Sequence, residues 1–260
     1  MSALFHWFPV FVLFSLSEAS TKKGVAVNGG NSYHCGDEDA FTNINWWYDW
    51  HSTPWQHSAK HCSGSVKSGY VPMVWAWRHG VDYPVHLQSG TGYVLGFNEP
   101  NFKQQANMSP QDAATHWKEL EAAAGGRVMV SPAVAPGSTD PIHWLEQFFQ
   151  ACHGCRVDHI ATHAYWCNPD TTMHFLQQLW DKFHKPIWLT EFACPQKNTV
   201  HDQLTYMKAI LPRLEAAPHV FRYSWFVSRT HGDGWIFPAA NLLDANGPHL
   251  TELGHYYNDF

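Results

Sequence analysis

Eight short apolar runs, separated by segments of helical periodicity, govern what this chain can fold into. They occupy residues 24–28, 44–50, 70–76, 93–98, 127–131, 159–163, 186–190 and 221–226. Most are apolar at successive positions, as in Val71-Pro72-Met73-Val74-Trp75. A strand with one wet face alternates apolar and polar residues, whereas an unbroken apolar run suits a parallel sheet covered on both sides. Strands alternating with helices predict the α/β class, and eight such units predict a (β/α)8 TIM-type barrel.

The segments between the runs carry helix signals. Ser109-Pro110 precedes 111–124, where Ala113, Trp117, Leu120 and Ala124 form an apolar stripe; this supplies an N-cap, a first-turn proline and a buried face. Thr139-Asp140-Pro141 opens a helix toward Ala151, Thr171-Thr172 opens one toward His184, and Thr199 opens one through Leu204, Met207, Leu211 and Leu214, with a break expected at Pro212. Residues 28–43 show no clear period, so the first helix is expected to be short or missing.

The chain starts with an apolar stretch, Ala3 to Leu16, interrupted by His6 and Pro9 and followed by Ser17-Glu18-Ala19. Small residues at the cleavage-determining positions after a short apolar core predict a signal peptide over 1–19, leaving 20–260 as one catalytic domain. No later segment has the length and apolarity of a membrane span. Export agrees with six cysteines, an even number expected to pair in an oxidising compartment. Cys152 and Cys155 flank a helix end, Cys167 and Cys194 each follow a strand run at one barrel end, and Cys35 and Cys62 remain. No thioredoxin-like βαβ pattern surrounds Cys152-His153-Gly154-Cys155, which is therefore expected to be structural rather than a redox dithiol.

Charge and composition narrow the partners. A net charge of -6 with 15% charged residues leaves no basic footprint for phosphates or anionic lipid, so neither nucleic acid nor membrane is expected as a partner. Aromatic residues also make up 15%, with 14 Trp, more than a core this size requires. Some should line a groove. Among 19 His there is no His-Glu-x-x-His and no pair at zinc-ligand spacing, so no metal and no cofactor is expected. There is no Gly-x-Ser-x-Gly elbow, and Gly90-x-Gly92 precedes its strand, against a dinucleotide loop.

Barrel active sites lie where strands end and βα loops begin. Polar residues stand at those positions: Asn28, Asp49, Asn98-Glu99, His163 with Tyr165, and Glu191. Glu99 and Glu191, ending the fourth and seventh runs, would face each other across the barrel mouth. Glycosidic hydrolysis needs such a pair, one carboxyl protonated for the leaving oxygen and one ionised. Trp46, Trp47, Trp50, Trp75, Trp77, Trp166 and Trp225 cluster near the same ends. An indole plane covers the apolar face of a pyranose, and Trp75 and Trp225, then Trp50, are the expected sugar platforms.

Leu95-Gly96-Phe97-Asn98-Glu99-Pro100-Asn101 and Ile187-Trp188-Leu189-Thr190-Glu191-Phe192-Ala193 resemble the two catalytic-strand motifs of glycoside hydrolase family 128, in the retaining (β/α)8 clan. Trp46-Trp47-Tyr48-Asp49-Trp50, Val157-Asp158-His159-Ile160, His163-Ala164-Tyr165 and Arg222-Tyr223-Ser224-Trp225-Phe226 extend the resemblance over nearly the whole chain after residue 20. It implies an endo-β-1,3-glucanase acting with retention, Glu99 as acid/base and Glu191 as nucleophile. It also implies that Asn98 bonds the hydroxyl beside the anomeric carbon and that Tyr165 holds the nucleophile. Asn28 and His163 are expected in the same cleft.

One obstacle stands in the pattern itself. Alternation along a strand sends Asn98 and Glu99 to opposite faces, so both reach the cavity only if the chain is already turning there, as Pro100 suggests. Glu99 should have apolar neighbours and the Glu191 charge nearby to keep it protonated, and Glu191 should accept hydrogen bonds. The expected partner is a β-glucan, taken by a monomer. Two other readings stay open: hydrolysis of a different β-glycan, since loops set the sugar, and a wall protein that binds glucan without turnover, against which the presence of both glutamates speaks.

Overall fold

The computed structural model describes residues 20–137, 139–232 and 235–260; the expected signal peptide lies outside them. Among the described residues seven strands form: β1 (Lys23–Ala26), β2 (Trp46–Tyr48), β3 (Tyr93–Leu95), β4 (Val128–Val130), β5 (Ile160–Ala164), β6 (Ile187–Phe192) and β7 (Val220–Trp225). All pair in parallel, in the orders β2-β1-β7-β6-β5 and β3-β4. Single parallel bridges join the two groups: Trp47 to Tyr70, Met73 to Leu95, and Val130 to His159. Backbone pairing therefore runs from each strand to the next all the way round, and the expected barrel is present.

The third run enters as an extended segment, 70–74, without a regular ladder. Pro72 has no N–H to offer β3. What remains on that side is Leu95 N–H to Pro72 O at 2.9 Å and Val74 N–H to Leu95 O at 3.0 Å, while Val71 N–H bonds Trp47 O at 2.9 Å on the other.

Alternation divides the core as a closed parallel sheet requires. Ala26, Trp46, Tyr48, Met73, Leu95, Val130, Ala161 and Trp188 form one buried cluster that fills the interior. Their neighbours Val25, Val27, Trp47, Ile187 and Leu189 belong to a second cluster shared with the helices. At the N-terminal end of the interior the Arg222 guanidinium lies 4.4 Å from the Tyr93 ring and 4.7 Å from the Trp188 ring, closing that end with a cation held on aromatic faces.

The helical layer is uneven. Helices α2 (Pro110–Ala124), α3 (Pro141–Ala151), α4 (Pro169–Phe183) and α5 (Val200–Ala216) follow β3, β4, β5 and β6. The Ser109 capping box is present, with Asp112 N–H to Ser109 Oγ at 3.1 Å. Helix α4 starts two residues before the expected Thr171, because Asn168 Oδ1 caps the N–H groups of Asp170 and Thr171 at 2.8 and 3.2 Å. Helix α5 does not break at Pro212; its buried Ile210, Leu211 and Leu214 hold it to Ala216, packing that outweighs one lost backbone bond.

Helix α6 (Glu252–Asp259), capped by Thr251, was not among the expected helices, although Leu253, Tyr256, Tyr257 and Phe260 stand at i, i+3, i+4 and i+7. After β1 there is one 3-10 turn, Gly30–Ser32, after β2 only the five-residue α1 (Trp55–Ala59), and no helix between the extended segment and β3. The missing first helix was expected; the thin layer over the next two units was not. Disulfides Cys35–Cys62, Cys152–Cys155 and Cys167–Cys194 are formed, and the first ties the loop after β1 to the segment after α1.

Candidate active site

A cavity of about 800 Å³ opens at the C-terminal ends of the strands. Nearly every unit contributes: Asn28 after β1, Trp50 after β2, Trp75 after the extended segment, Asn98 and Glu99 after β3, Ala135 after β4, Tyr165 after β5, Glu191 on β6 and Phe226 after β7.

The two glutamates reach this cavity by departing from regular strand geometry. Strict alternation from the inward Trp188 would turn Thr190 in and Glu191 out. The register of β6 against β7 shifts between Leu189 and Phe192, Glu191 pairs with His163 across β5, and Glu191 faces the cavity. At β3 the departure is sharper. Glu99 has φ +40°, left-handed backbone that a non-glycine side chain adopts only under constraint. Asn98 N–H bonds Trp75 O at 2.8 Å and Glu99 N–H bonds Ala133 O at 2.9 Å, so consecutive amides are fixed to opposite neighbours while both side chains line the cavity. The chain is indeed turning at Asn98-Glu99.

Glu191 is held by donors on three sides. Trp50 Nε1–H donates to Oε1 at 2.8 Å, Tyr48 O–H reaches the same oxygen at 3.3 Å while sharing its proton with Thr190 O at 3.0 Å, and Tyr165 O–H donates to Oε2. His163 is fully buried; its Nδ1 lies 2.7 Å from Glu99 Oε1 and 3.4 Å from Glu191 Oε2. Its Nε2 has no hydrogen-bond partner among the described residues, so the carboxylates are its polar tether. One oxygen of Glu99 and one of Glu191 lie within 4.8 Å of each other.

Burial pushes the Glu191 carboxyl above its ordinary range; the His163 imidazole and the hydrogen bonds from Tyr165 and Trp50 oppose this, while Glu99 adds to it. Burial alone would push the His163 imidazole down, but the Glu191 charge and the bond to Glu99 outweigh it and hold His163 above its usual value. The protonation of His163 and of Glu191 is thus linked, each holding the other's charge in place. Burial and the Glu191 charge push the Tyr48 and Tyr165 phenols well up, so both stay protonated donors. The trio could also hold a metal ion, though an ion bound there would have to replace the His163–Glu99 hydrogen bond.

Asn98 Nδ2–H donates to Gln105 Oε1 at 3.3 Å, and its buried Oδ1 has no hydrogen-bond partner among the described residues. An acceptor buried without a donor is costly; in a cavity wall it is an invitation to a ligand hydroxyl. Asn28 is fixed by Nδ2–H to Arg229 O at 2.9 Å and by Gly29 N–H on its Oδ1 at 2.9 Å.

The aromatic expectations divide. Trp75 lines the cavity, with the Arg78 guanidinium 4.6 Å from its ring. Trp50 lines it too, with its N–H committed to Glu191. Trp225 does not: it is fully buried, donates Nε1–H to Ala240 O at 2.9 Å and packs edge-on against Phe192. The inward aromatic at this strand end is the next residue, Phe226, with Trp235 tilted beside it at 5.5 Å between ring centroids. His163, expected in the cleft, lies under the two carboxylates and off the cavity wall. Phe102, Gln104, Gln105 and Trp235 were not anticipated, since they lie on loops with no periodic signal; Tyr48 was readable only as part of an aromatic run.

This arrangement places two buried carboxyl groups close together, one oriented by phenol and indole donors and one bonded to imidazole, in a wall of flat apolar faces. It can protonate a leaving oxygen on one side of a bond and present a carboxylate on the other. The profile of the family described as glycosyl hydrolase catalytic core matches residues 24–257. A solved endo-β-1,3-glucanase of Sorangium cellulosum, from subgroup II of glycoside hydrolase family 128, is 32% identical with TM-score 0.74, covering 91% of this chain and 97% of that one. A curdlan-specific exo-β-1,3-glucanase of Blastomyces gilchristii from subgroup III, solved with glucose, is 29% identical with TM-score 0.73, covering 93% and 99%. Alkali-sensitive linkage protein 1 of Schizosaccharomyces pombe is 28% identical over 253 residues, 93% of this chain; the chain spans 45% of that relative's length.

Proposed function

We propose, from the premise that this chain belongs to family 128 of the glycoside hydrolases and carries the glycosyl hydrolase catalytic core, that it cleaves β-1,3-glucan internally with retention of configuration. Glu191 is the nucleophile and Glu99 the acid/base. The observation that carries this reading is the approach of a Glu99 oxygen to within 4.8 Å of a Glu191 oxygen held by three donors. Retaining pairs stand about 5 to 5.5 Å apart, whereas inverting pairs leave about 6.5 to 9.5 Å for a water.

In the first step Glu99 gives its proton to the glycosidic oxygen as that bond to the anomeric carbon breaks, and a Glu191 oxygen forms a bond to the same carbon. In the second, Glu99 takes a proton from water, the water oxygen attacks the anomeric carbon, and the Glu191–sugar bond breaks. Tyr165, Trp50 and Tyr48 keep the Glu191 carboxylate in line. Asn98 Oδ1, without a donor among the described residues, accepts the sugar hydroxyl next to the anomeric carbon, a bond that strengthens as oxocarbenium charge develops. His163 fixes Glu99 from below.

Three disulfides favour an oxidising compartment, and we place the mature chain, residues 20–260, outside the cell as a monomer acting on wall or soluble glucan. Among the described residues no helix is long and apolar enough to cross a membrane.

The test is product analysis on linear β-1,3-, β-1,4- and mixed-linked glucans. Internal cleavage shortens the β-1,3 polymer to a ladder of oligosaccharides; release of glucose alone means exo action. NMR of early product should show the β-anomer first, and the α-anomer first would make the enzyme inverting. Role assignment is checked with azide. Glu99→Ala should turn over substrates with activated leaving groups slowly and give a β-glycosyl azide, while Glu191→Gln should be inactive with glucan affinity kept. A β-glycosyl azide from Glu191→Ala, or an inverted α-glycosyl azide from Glu99→Ala, would mean the two roles are exchanged.

A further inference from the structure

Arg222 on β7 is a cation without an anion. Its Cζ lies 4.4 to 5.7 Å from the ring centroids of Tyr93, Trp188, Phe221 and Trp46, and its buried Nε–H has no hydrogen-bond partner among the described residues. Burial pulls the guanidinium below its usual value, and of its neighbours only the Tyr93 phenol opposes this; no carboxylate does. Aromatic faces attract the charge but give its N–H groups no oxygen to bond, and a buried charged donor left so is costly.

This guanidinium lines a cavity of about 350 Å³ at the N-terminal end of the barrel, together with Lys67, Ser68, Ser89, Thr91 and Tyr93. No Asp or Glu is among the described residues that line it. Behind the wall a second guanidinium, that of Arg127, donates Nε–H to Thr91 Oγ1 at 3.1 Å and Nη2–H to Gln88 O at 3.2 Å. Four residues of extended chain, about 13 Å, separate Arg222 from Phe226 at the catalytic mouth, so the two cavities lie at opposite ends of the barrel. The whole chain carries -6, yet this recess is locally cationic.

We propose that the cavity is a binding site for a phosphate group, free or as a monoester, held by the Arg222 guanidinium and the Lys67 ammonium with the Ser68 and Ser89 hydroxyls at its rim. A carboxylate brings two oxygens and one charge, whereas phosphate brings more acceptor oxygens and up to two charges, enough for guanidinium, ammonium and hydroxyl donors together. The bound group would tie residues 66–71 and 88–93 to β7, on the side where no helix lies between the extended segment and β3. It should stabilise the barrel and leave turnover alone, and it does not depend on the glucanase reading.

The experiment measures calorimetric affinity and melting midpoint of the secreted protein with inorganic phosphate, methyl phosphate, acetate and chloride at one ionic strength. Phosphate at about ten times its Kd should raise the midpoint by about 3 to 6 °C over chloride, with acetate about tenfold weaker. Methyl phosphate binding as well as phosphate makes a monoester the source; weaker binding makes it the free ion. Arg222→Gln should abolish the effect, Arg222→Lys should keep part of it, and Lys67→Gln should weaken affinity about three- to tenfold. Circular dichroism verifies that each variant folds, and Lys67→Gln, at the rim, decides the matter if the Arg222 variants do not. An arginine that only plugs the barrel would lower the midpoint when replaced and leave the phosphate shift of Lys67→Gln intact. Phosphate acting no better than chloride or acetate, a shift that Lys67→Gln keeps in full, or inhibition of β-1,3-glucan hydrolysis that tracks phosphate occupancy overturns the site.

Discussion

Tyr165 and Glu191 stand on neighbouring strand ends, and the Tyr165 hydroxyl donates to the Glu191 oxygen that His163 also approaches. That bond favours the ionised carboxylate against the burial that pushes it upward. Tyr165→Phe removes the donor and keeps the ring. A hydrogen bond to a charged group contributes about 1.5 to 3 kcal/mol, so kcat should fall on the order of 10- to 100-fold. Without the donor Glu191 ionises at higher pH, so the acidic limb of the kcat profile should move up. A loss of rate with that limb unmoved would mean the phenol acts elsewhere.

Trp225 and Phe226 are adjacent in sequence and opposite in role. Trp225→Ala opens a hole in the layer between β7 and the helices and should cost about 3 to 5 kcal/mol of stability. Phe226→Ala should leave the melting temperature nearly unchanged and raise KM for glucan. The reverse pattern would return Trp225 to the sugar.

His163 binds its proton more tightly in the folded chain than in the unfolded one. A raised folded pKa gives stability that is complete below the unfolded value of about 6.5 and lost as pH rises through the folded value. Glu191, also raised, acts in the same direction over a lower range. The stability advantage of the wild-type protein over His163→Gln should therefore shrink as pH is raised above about 6.5. An advantage that grows with pH contradicts a raised His163 imidazole.

Cys167 and Cys194 join the loops that follow Tyr165 and Glu191, 27 residues apart in sequence. Replacing both with Ala should cost about 3 to 4 kcal/mol, the chain-entropy value for a loop of this length. The ratio of rates on β-1,3- and β-1,4-glucan should not change, since neither cysteine lines the cavity. Chemical denaturation and paired rate measurements check the two statements, and six free thiols in the non-reduced secreted protein would remove the premise.

The sequence made the barrel legible because burial on both strand faces leaves unbroken apolar runs, and it made Glu99 and Glu191 legible because a charge at the end of such a run needs a reason. Alternation failed where the backbone departs from a regular strand. At Trp225 and Phe226 an error of one position exchanges cavity for core. The third run read as an ordinary strand, yet Pro72 breaks its ladder. His163 was expected in the cleft and lies beneath it, since parity gives a direction and not how far below the rim a side chain ends. Trp235 and Phe102 carried no signal, because loops are shaped by what they pack on rather than by any period of their own.

The uneven helical layer has a consequence for how such an enzyme can change. Glu99, His163 and Glu191 are borne by β3, β5 and β6, each followed by a long helix, whereas Trp50 and Trp75 stand on the two units backed by five helical residues and by none. Residues 51–54 and 76–92, which carry no helix, can be lengthened or shortened without unpacking one from the barrel. Insertions there can redraw which glucan is accepted while the chemical step keeps its rate, so substrate range and catalytic power are free to diverge separately in descendants of this chain.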